Sequence, residues 1–112
     1  MKNKIHYTHE AQRDLDEIWD YIVSDLLNPT AAERTVNRIM DEIDRLSDFA
    51  EMGAPLSSVA DVESDYRFLV CGNYLSFYRV EGTEVYIDRI LYGRRDFLRI
   101  LFGDISEDKT IK

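Results

Sequence analysis

The spacing of apolar residues along the chain changes once, from a helical period to a strand period. After a short alternating segment at Lys4–Tyr7, which predicts a strand, apolar residues recur at steps of three and four, as on one face of a helix. The first stripe contains Ala11, Leu15, Ile18, Trp19, Ile22 and Leu26, and the second contains Ala32, Val36, Ile39, Met40, Ile43, Leu46 and Phe49. We expect two amphipathic helices in an antiparallel hairpin, with these residues, Trp19 included, in the core.

Capping residues indicate where the two helices begin. Thr8 precedes the first stripe, and its hydroxyl can accept a hydrogen bond from a free amide of the first turn. Asn28 and Pro29 end that helix, because the residue before a proline avoids helical angles. Thr30 and Glu33 then match a capping box, which predicts that Thr30 caps the second helix. Four acidic residues lie mostly off the first stripe and are expected to face water: Asp14, Asp16, Glu17 and Asp20.

The second half of the chain alternates with a period of two. Strands are predicted at residues 66–71, 74–80 and 84–92, with turn signals at Gly72 and Gly82 between them. Residues 52–65 read as a loop, and residues 96–102 as a short helix. The predicted fold class is α+β: an N-terminal strand, a helical hairpin packed on a small antiparallel sheet, and a short C-terminal helix. We expect a single domain over residues 1–102 and a polar tail over residues 103–112.

Charge is divided unevenly between the two halves. The net charge is −8, and residues 1–65 alone carry 6 basic and 15 acidic side chains. Lysine occurs only near the termini, whereas residues 66–100 carry Arg67, Arg79, Arg89, Arg94, Arg95 and Arg99. The negative total disfavours sequence-blind binding of nucleic acid. The arginines either meet an acidic partner or pair with carboxylates of this chain.

Several kinds of chemistry are not indicated by the sequence. It contains no nucleophile elbow, P-loop or zinc-protease motif, and His6, His9 and Cys71 match no metal-ligand spacing. We therefore expect no metal and no cofactor. The single cysteine precludes an internal disulfide and suits a cytoplasmic location, and no apolar run approaches the roughly 20 residues that cross a membrane.

The densest polar cluster is residues 89–96, at the exit of the last predicted strand. Here Tyr92, Gly93, Arg94 and Arg95 place a phenol and two guanidinium groups around a flexible glycine. Such a cluster can grip phosphates or acidic side chains. Alternatively, Arg94 and Arg95 pair with Asp96 and with the acidic helices.

Three segments, taken in order, resemble the RelE/ParE superfamily of toxins from type II toxin–antitoxin modules. They are Ala11 with residues 14–22, residues 73–80, and residues 89–96. The likeness covers about residues 4–102. It implies a strand, a helical hairpin and a small antiparallel sheet, and it implies a cognate antitoxin as partner.

The superfamily contains two kinds of activity. RelE-type members cut mRNA on the ribosome, and typically place an arginine directly after the aromatic residue that begins the middle strand. This chain has Leu75 there, and apolar Leu101 near the position of a late catalytic tyrosine. Only Arg67, Tyr92 and Arg95 remain as catalytic candidates for that alternative.

ParE-type members instead resemble binders that poison DNA gyrase. We predict a ParE-like toxin without catalytic residues of its own, neutralised by its antitoxin. The residues predicted to bind the target or the antitoxin are Arg89, Tyr92, Arg94, Arg95 and Arg99. Two alternatives stay open: a ribosome-dependent mRNA interferase, and an inactive toxin-like scaffold that only binds an antitoxin.

Overall fold

The computed structural model describes residues 2–93 and 95–102. The elements in chain order are β1 (Lys4–Tyr7), α1 (His9–Asp20), α2 (Pro29–Asp44), β2 (Ala54–Pro55), β3 (Arg67–Cys71), β4 (Tyr74–Glu81), β5 (Glu84–Tyr92) and α3 (Phe97–Phe102). The predicted α+β architecture is confirmed, with a helical hairpin, a mostly antiparallel sheet and a short C-terminal helix. The predicted tail, residues 103–112, and Arg94 lie outside the described residues.

The sheet has five strands in the order β1-β5-β4-β3-β2. Strands β3, β4 and β5 form the predicted antiparallel meander. Two pairings were missed from the sequence: β1 pairs in parallel with β5, and Ala54–Pro55, predicted as loop, pairs with β3. Strand β5 therefore lies between β1 and β4, and Val85 and Ile87 on it are fully buried.

Both faces of the sheet are covered by apolar side chains. On one face the helical hairpin packs against the strand residues Leu69, Cys71, Tyr78, Val85, Ile87 and Ile90. On the other face Leu56, Phe77 and Leu91 are buried, with α3 packed against them. Burial on two faces explains why the adjacent β5 residues Ile90 and Leu91 are both apolar and both buried.

The buried stripes of the helices are narrower than the sequence predicted. Ala11, Leu15 and Ile18 of α1 are buried, but Trp19 is exposed, so its assignment to the core was wrong. Leu26, Met40 and Phe49 are also exposed and were likewise wrongly placed in the core. Apolar periodicity gives the centre of a helix face but not its width, which depends on the elements packed against it.

The beginnings of the helices agree with the sequence in one case and not in the other. Thr8 caps α1 as predicted, since its Oγ accepts a hydrogen bond from the Ala11 amide at 3.1 Å. Helix α2 begins at Pro29, and its cap is Asn28, whose Oδ1 accepts from the Ala31 amide at 3.1 Å. The predicted cap at Thr30 was wrong, because proline at the first helical position needs no hydrogen-bond partner and its fixed φ suits the helix.

We expect Asn28→Ala to lower the free energy of unfolding by about 1 kcal/mol, because it leaves the Ala31 amide without its side-chain acceptor. Thr30→Ala is the matched control, and we expect it to change stability by less than about 0.5 kcal/mol. Urea denaturation of the two variants and the parent chain measures both values. A larger loss of unfolding free energy for Thr30→Ala than for Asn28→Ala would contradict this result and support Thr30 as the cap of α2.

Candidate functional site

A groove of about 520 Å³ opens at the end of the sheet where β4 begins and β5 ends. One wall comes from α1 and the wide π-helical turn that follows it, residues Tyr21–Asp25. The other wall comes from β5 and from the turn into β4. The residues that line the groove include Asp14, Tyr21, Leu26, Tyr74, Tyr92 and Arg95. The groove therefore brings together two of the predicted site residues, Tyr92 and Arg95.

Asp14 lies in this groove and joins α1 to β5. Its side chain is only 4% exposed, and its carboxylate accepts hydrogen bonds from Nε and Nη2 of Arg89 at 2.8 and 2.9 Å. It also accepts the backbone N–H of Ile90 at 2.9 Å. Strand β1 ends opposite Ile87, so beyond that point Asp14 takes the place of a strand partner. The prediction that Asp14 faces water was wrong, since these three bonds compensate its burial.

Arg89 is held in place by the same contacts. The hydrogen bond to Asp14 raises the pKa of Arg89 above its usual value, with burial opposing it, so the guanidinium is charged at every physiological pH. One edge of the guanidinium is thus already occupied within this chain. The predicted role of Arg89 in binding the target or the antitoxin stays a prediction.

Tyr74 and Tyr92 form an aromatic pair on the sheet wall. Their ring centroids lie 5.8 Å apart at an interplanar angle of 64°, which is an edge-to-face contact. Burial, with smaller contributions from Tyr21 and Tyr92, raises the pKa of Tyr74. The Tyr74 phenol is therefore neutral at physiological pH and offers apolar surface and a hydroxyl rather than a base.

Arg95 is an exposed cation of the groove. Within residues 2–93 and 95–102, no carboxylate lies within ion-pairing distance of its guanidinium. The alternative that Arg95 pairs with Asp96 is not seen, because Asp96 instead approaches Arg99 Nε at 3.5 Å. Arg99 lies on α3 and does not line the groove.

Arg67 lies at the far end of the sheet from Tyr92. It begins β3 opposite Tyr78, and its Nη1 donates to the carbonyl oxygens of Gly53 at 2.7 Å and Glu51 at 3.3 Å. The position level with Tyr92 is Cys71, four residues further along β3, or about 13 Å. The structure therefore separates Arg67 from Tyr92, with which the interferase alternative would need it to act.

Of the six groove residues named above, four were not identified as site residues from the sequence: Asp14, Tyr21, Leu26 and Tyr74. Three of them lie in the segments that carry the family resemblance, residues 14–22 and 73–80. Their location in these segments could have identified them as candidate site residues. The pairing of residues 14 and 89, which builds the groove, has no local signature.

Comparison with known proteins identifies the family. The profile described as the ParE toxin of the type II toxin–antitoxin system, parDE, matches residues 5–97. The chain belongs to the ParE toxin family. This ParE-family chain is similar to a solved structure described as the chromosomal ParDE toxin–antitoxin system from P. aeruginosa, with 29% sequence identity and a TM-score of 0.68. The match covers 81% of this chain and 96% of that one.

A second solved structure supports the same fold. It is the RelBE2 toxin–antitoxin complex from Mycobacterium tuberculosis, with 20% identity, a TM-score of 0.53, and coverage of 82% of this chain and 99% of that one. A search of curated protein sequences gave no match. In the described part of the ParE-family chain, no helix has the length and apolar character needed to span a bilayer. The same residues contain no group of three or more His, Cys, Asp or Glu side chains placed to hold a metal ion.

Proposed function

We propose that this ParE-family toxin arrests growth in the cytoplasm by binding DNA gyrase, without chemistry of its own, and that a cognate antitoxin keeps it inactive. The match to the ParE toxin family over residues 5–97 supports the ParE-like branch of the superfamily over the RelE-like branch. The similarity to a ParDE toxin–antitoxin structure supports an antitoxin partner.

The observation that carries this proposal is the composition of the groove. Cleavage of RNA needs a base for the 2′-hydroxyl and cations around the phosphate. Arg67 is far from the groove, Tyr74 is neutral, and the buried carboxylate of Asp14 is already held by Arg89. A groove with aromatic walls and the available guanidinium of Arg95 favours binding of a protein segment over bond cleavage.

The same groove suits an amphipathic segment of the antitoxin. Its apolar side chains would pack on Tyr74, Tyr92 and Leu26, and an acidic side chain would pair with Arg95. We expect Arg95→Glu to weaken antitoxin binding about tenfold, measured as Kd by titration calorimetry. Arg34→Glu, an exposed site on α2, makes the same change in net charge and is the control. Equal losses for both variants would indicate general electrostatics and contradict a contact at Arg95.

The target is tested with purified components. We expect the toxin to inhibit supercoiling by gyrase and the antitoxin to relieve that inhibition at equimolar concentration. Mapping mRNA ends after induction tests the interferase alternative, which requires new cuts within translated frames. Growth arrest with such cuts and with uninhibited gyrase would overturn the proposal. Normal growth at high expression, with a stable antitoxin complex, would favour the inactive scaffold.

A further inference from the structure

The turn and loop between α1 and α2 expose three large apolar side chains. Leu27 is 80% exposed, and Leu26 and Tyr21 beside it are at least half exposed. We call these three residues the hairpin tip. Large apolar side chains that are exposed together, rather than singly, mark interaction sites in soluble proteins.

The backbone of the hairpin tip also carries strain. Leu27 has a φ of +54° and is the only non-glycine residue with positive φ among those described. That region favours glycine or asparagine, so leucine is a costly choice there. The preceding turn is π-helical, a form found often at functional sites. The loop is nevertheless fixed, since the Leu26 and Asn28 amides donate to the carbonyl oxygens of Tyr21 and Ile22 at 3.2 and 3.1 Å.

The chain segment that contains the hairpin tip carries charges of one sign. No lysine, arginine or histidine occurs between Arg13 and Arg34. The acidic residues in that interval are Asp14, Asp16, Glu17, Asp20, Asp25 and Glu33, of which all but Asp14 are exposed. A surface of this kind repels the phosphates of nucleic acid and attracts a basic protein surface.

We infer that the hairpin tip is the surface with which the toxin engages its protein target, and that the target offers an apolar pocket rimmed by lysine or arginine. This inference rests on the proposed function, namely that the toxin acts by binding a protein. A strained, exposed leucine lowers the stability of the free chain, and its benefit arises when the pocket covers it. Tyr21 and Leu26 also line the groove proposed for the antitoxin, whereas Leu27 does not, so Leu27 distinguishes the two surfaces.

The test combines two variants of the hairpin tip with two controls elsewhere. Leu27→Asn suits the positive φ but removes the apolar contact, and Asp25→Lys reverses a charge at the tip. Val59→Asn, at a loop residue that is 63% exposed, and Asp61→Lys, at an exposed acidic residue, are the controls. For each we measure growth arrest at matched expression, the concentration that half-inhibits gyrase, the Kd for the antitoxin, and Tm.

We expect Leu27→Asn to raise Tm by about 4 °C, because it relieves strain. We also expect it to raise the half-inhibiting concentration about tenfold, to relieve growth arrest, and to leave the antitoxin Kd within about threefold of the parent value. Asp25→Lys should also raise the concentration that half-inhibits gyrase, whereas the two control variants should leave it unchanged. A variant with a higher Tm is folded, so its loss of activity must come from the lost contact rather than from unfolding.

Other outcomes decide against one proposal or both. If Leu27→Asn arrests growth as strongly as the parent chain, the hairpin tip is not the target surface. If it weakens antitoxin binding as much as activity, the tip belongs to the antitoxin interface and the inference is overturned. If the parent chain arrests growth without inhibiting gyrase, the proposed target is wrong, and relief of arrest by Leu27→Asn still supports the tip. A parent chain that does not arrest growth overturns both.

Discussion

Asp14→Ala is expected to lower the free energy of unfolding by about 3 kcal/mol, and hence Tm by about 10 °C. The variant removes two charge-assisted bonds to Arg89 and the acceptor of the Ile90 N–H. It leaves a partly buried guanidinium and an edge amide without partners, and breaking a buried pair by removing one member costs more than the pair contributes. Urea and thermal denaturation measure the loss.

Two further variants separate this network from general effects of charge. Asp16→Ala, at an exposed site two residues along the same helix, should change stability by less than about 0.5 kcal/mol. Adding Arg89→Ala to Asp14→Ala should recover part of the loss, because the unpaired guanidinium is then gone. Arg89→Ala alone completes the comparison, and a double variant whose loss equals the sum of the Asp14→Ala and Arg89→Ala losses would show that the contact is not energetically coupled.

The second large effect is expected at Gly53. A Cβ at this position would lie 2.6 Å from Tyr78 Oη and 2.7 Å from the Phe68 carbonyl oxygen. Tyr78 is fully buried, its hydroxyl accepts the Gly53 N–H at 3.0 Å, and it donates to the Ala50 carbonyl at 2.8 Å. Gly53→Ala must therefore displace β3 or break these bonds, and we expect a loss of about 3 kcal/mol by urea denaturation.

The partners of Gly53 provide the controls. Tyr78→Phe removes the nearest clashing atom, so Gly53→Ala should cost less in that background, although the Phe68 carbonyl still lies too close. A Cβ at Gly93 would lie 3.3 Å from its nearest neighbour, the Asn73 carbonyl oxygen, so Gly93→Ala should cost about 1 kcal/mol or less. A loss at Gly53 no larger than that at Gly93 would contradict the crowding argument.

The order of elements followed from the sequence because it depends on local patterns. The change of period, the Thr8 cap and the turns at Gly72 and Gly82, where φ is positive, can each be read within a few residues. The parallel pairing of Lys4 with Glu84 joins residues far apart in the chain, and no local pattern specifies it. The cap at Asn28 was missed because two capping signals lie within three residues.

The candidate site was predicted only in part, for a related reason. Tyr92 and Arg95 stood out because they belong to one polar cluster in the sequence. Asp14 was assigned to solvent with the other acidic residues that lie off the apolar stripe of the first helix, because its partner Arg89 lies 75 positions away and gives no local signal. The exposure of Leu27 and its positive φ are backbone properties that a leucine in the sequence does not reveal.

The position of β5 has a consequence for how the protein is made. This strand leaves the ribosome last of the five, yet it must enter between β1 and β4 and meet Asp14 before the sheet closes. At about 5 to 20 residues per second, the nascent chain spends several seconds without that strand. A product of premature termination before Glu84 thus lacks the strand that joins β1 to β4, and its sheet cannot close.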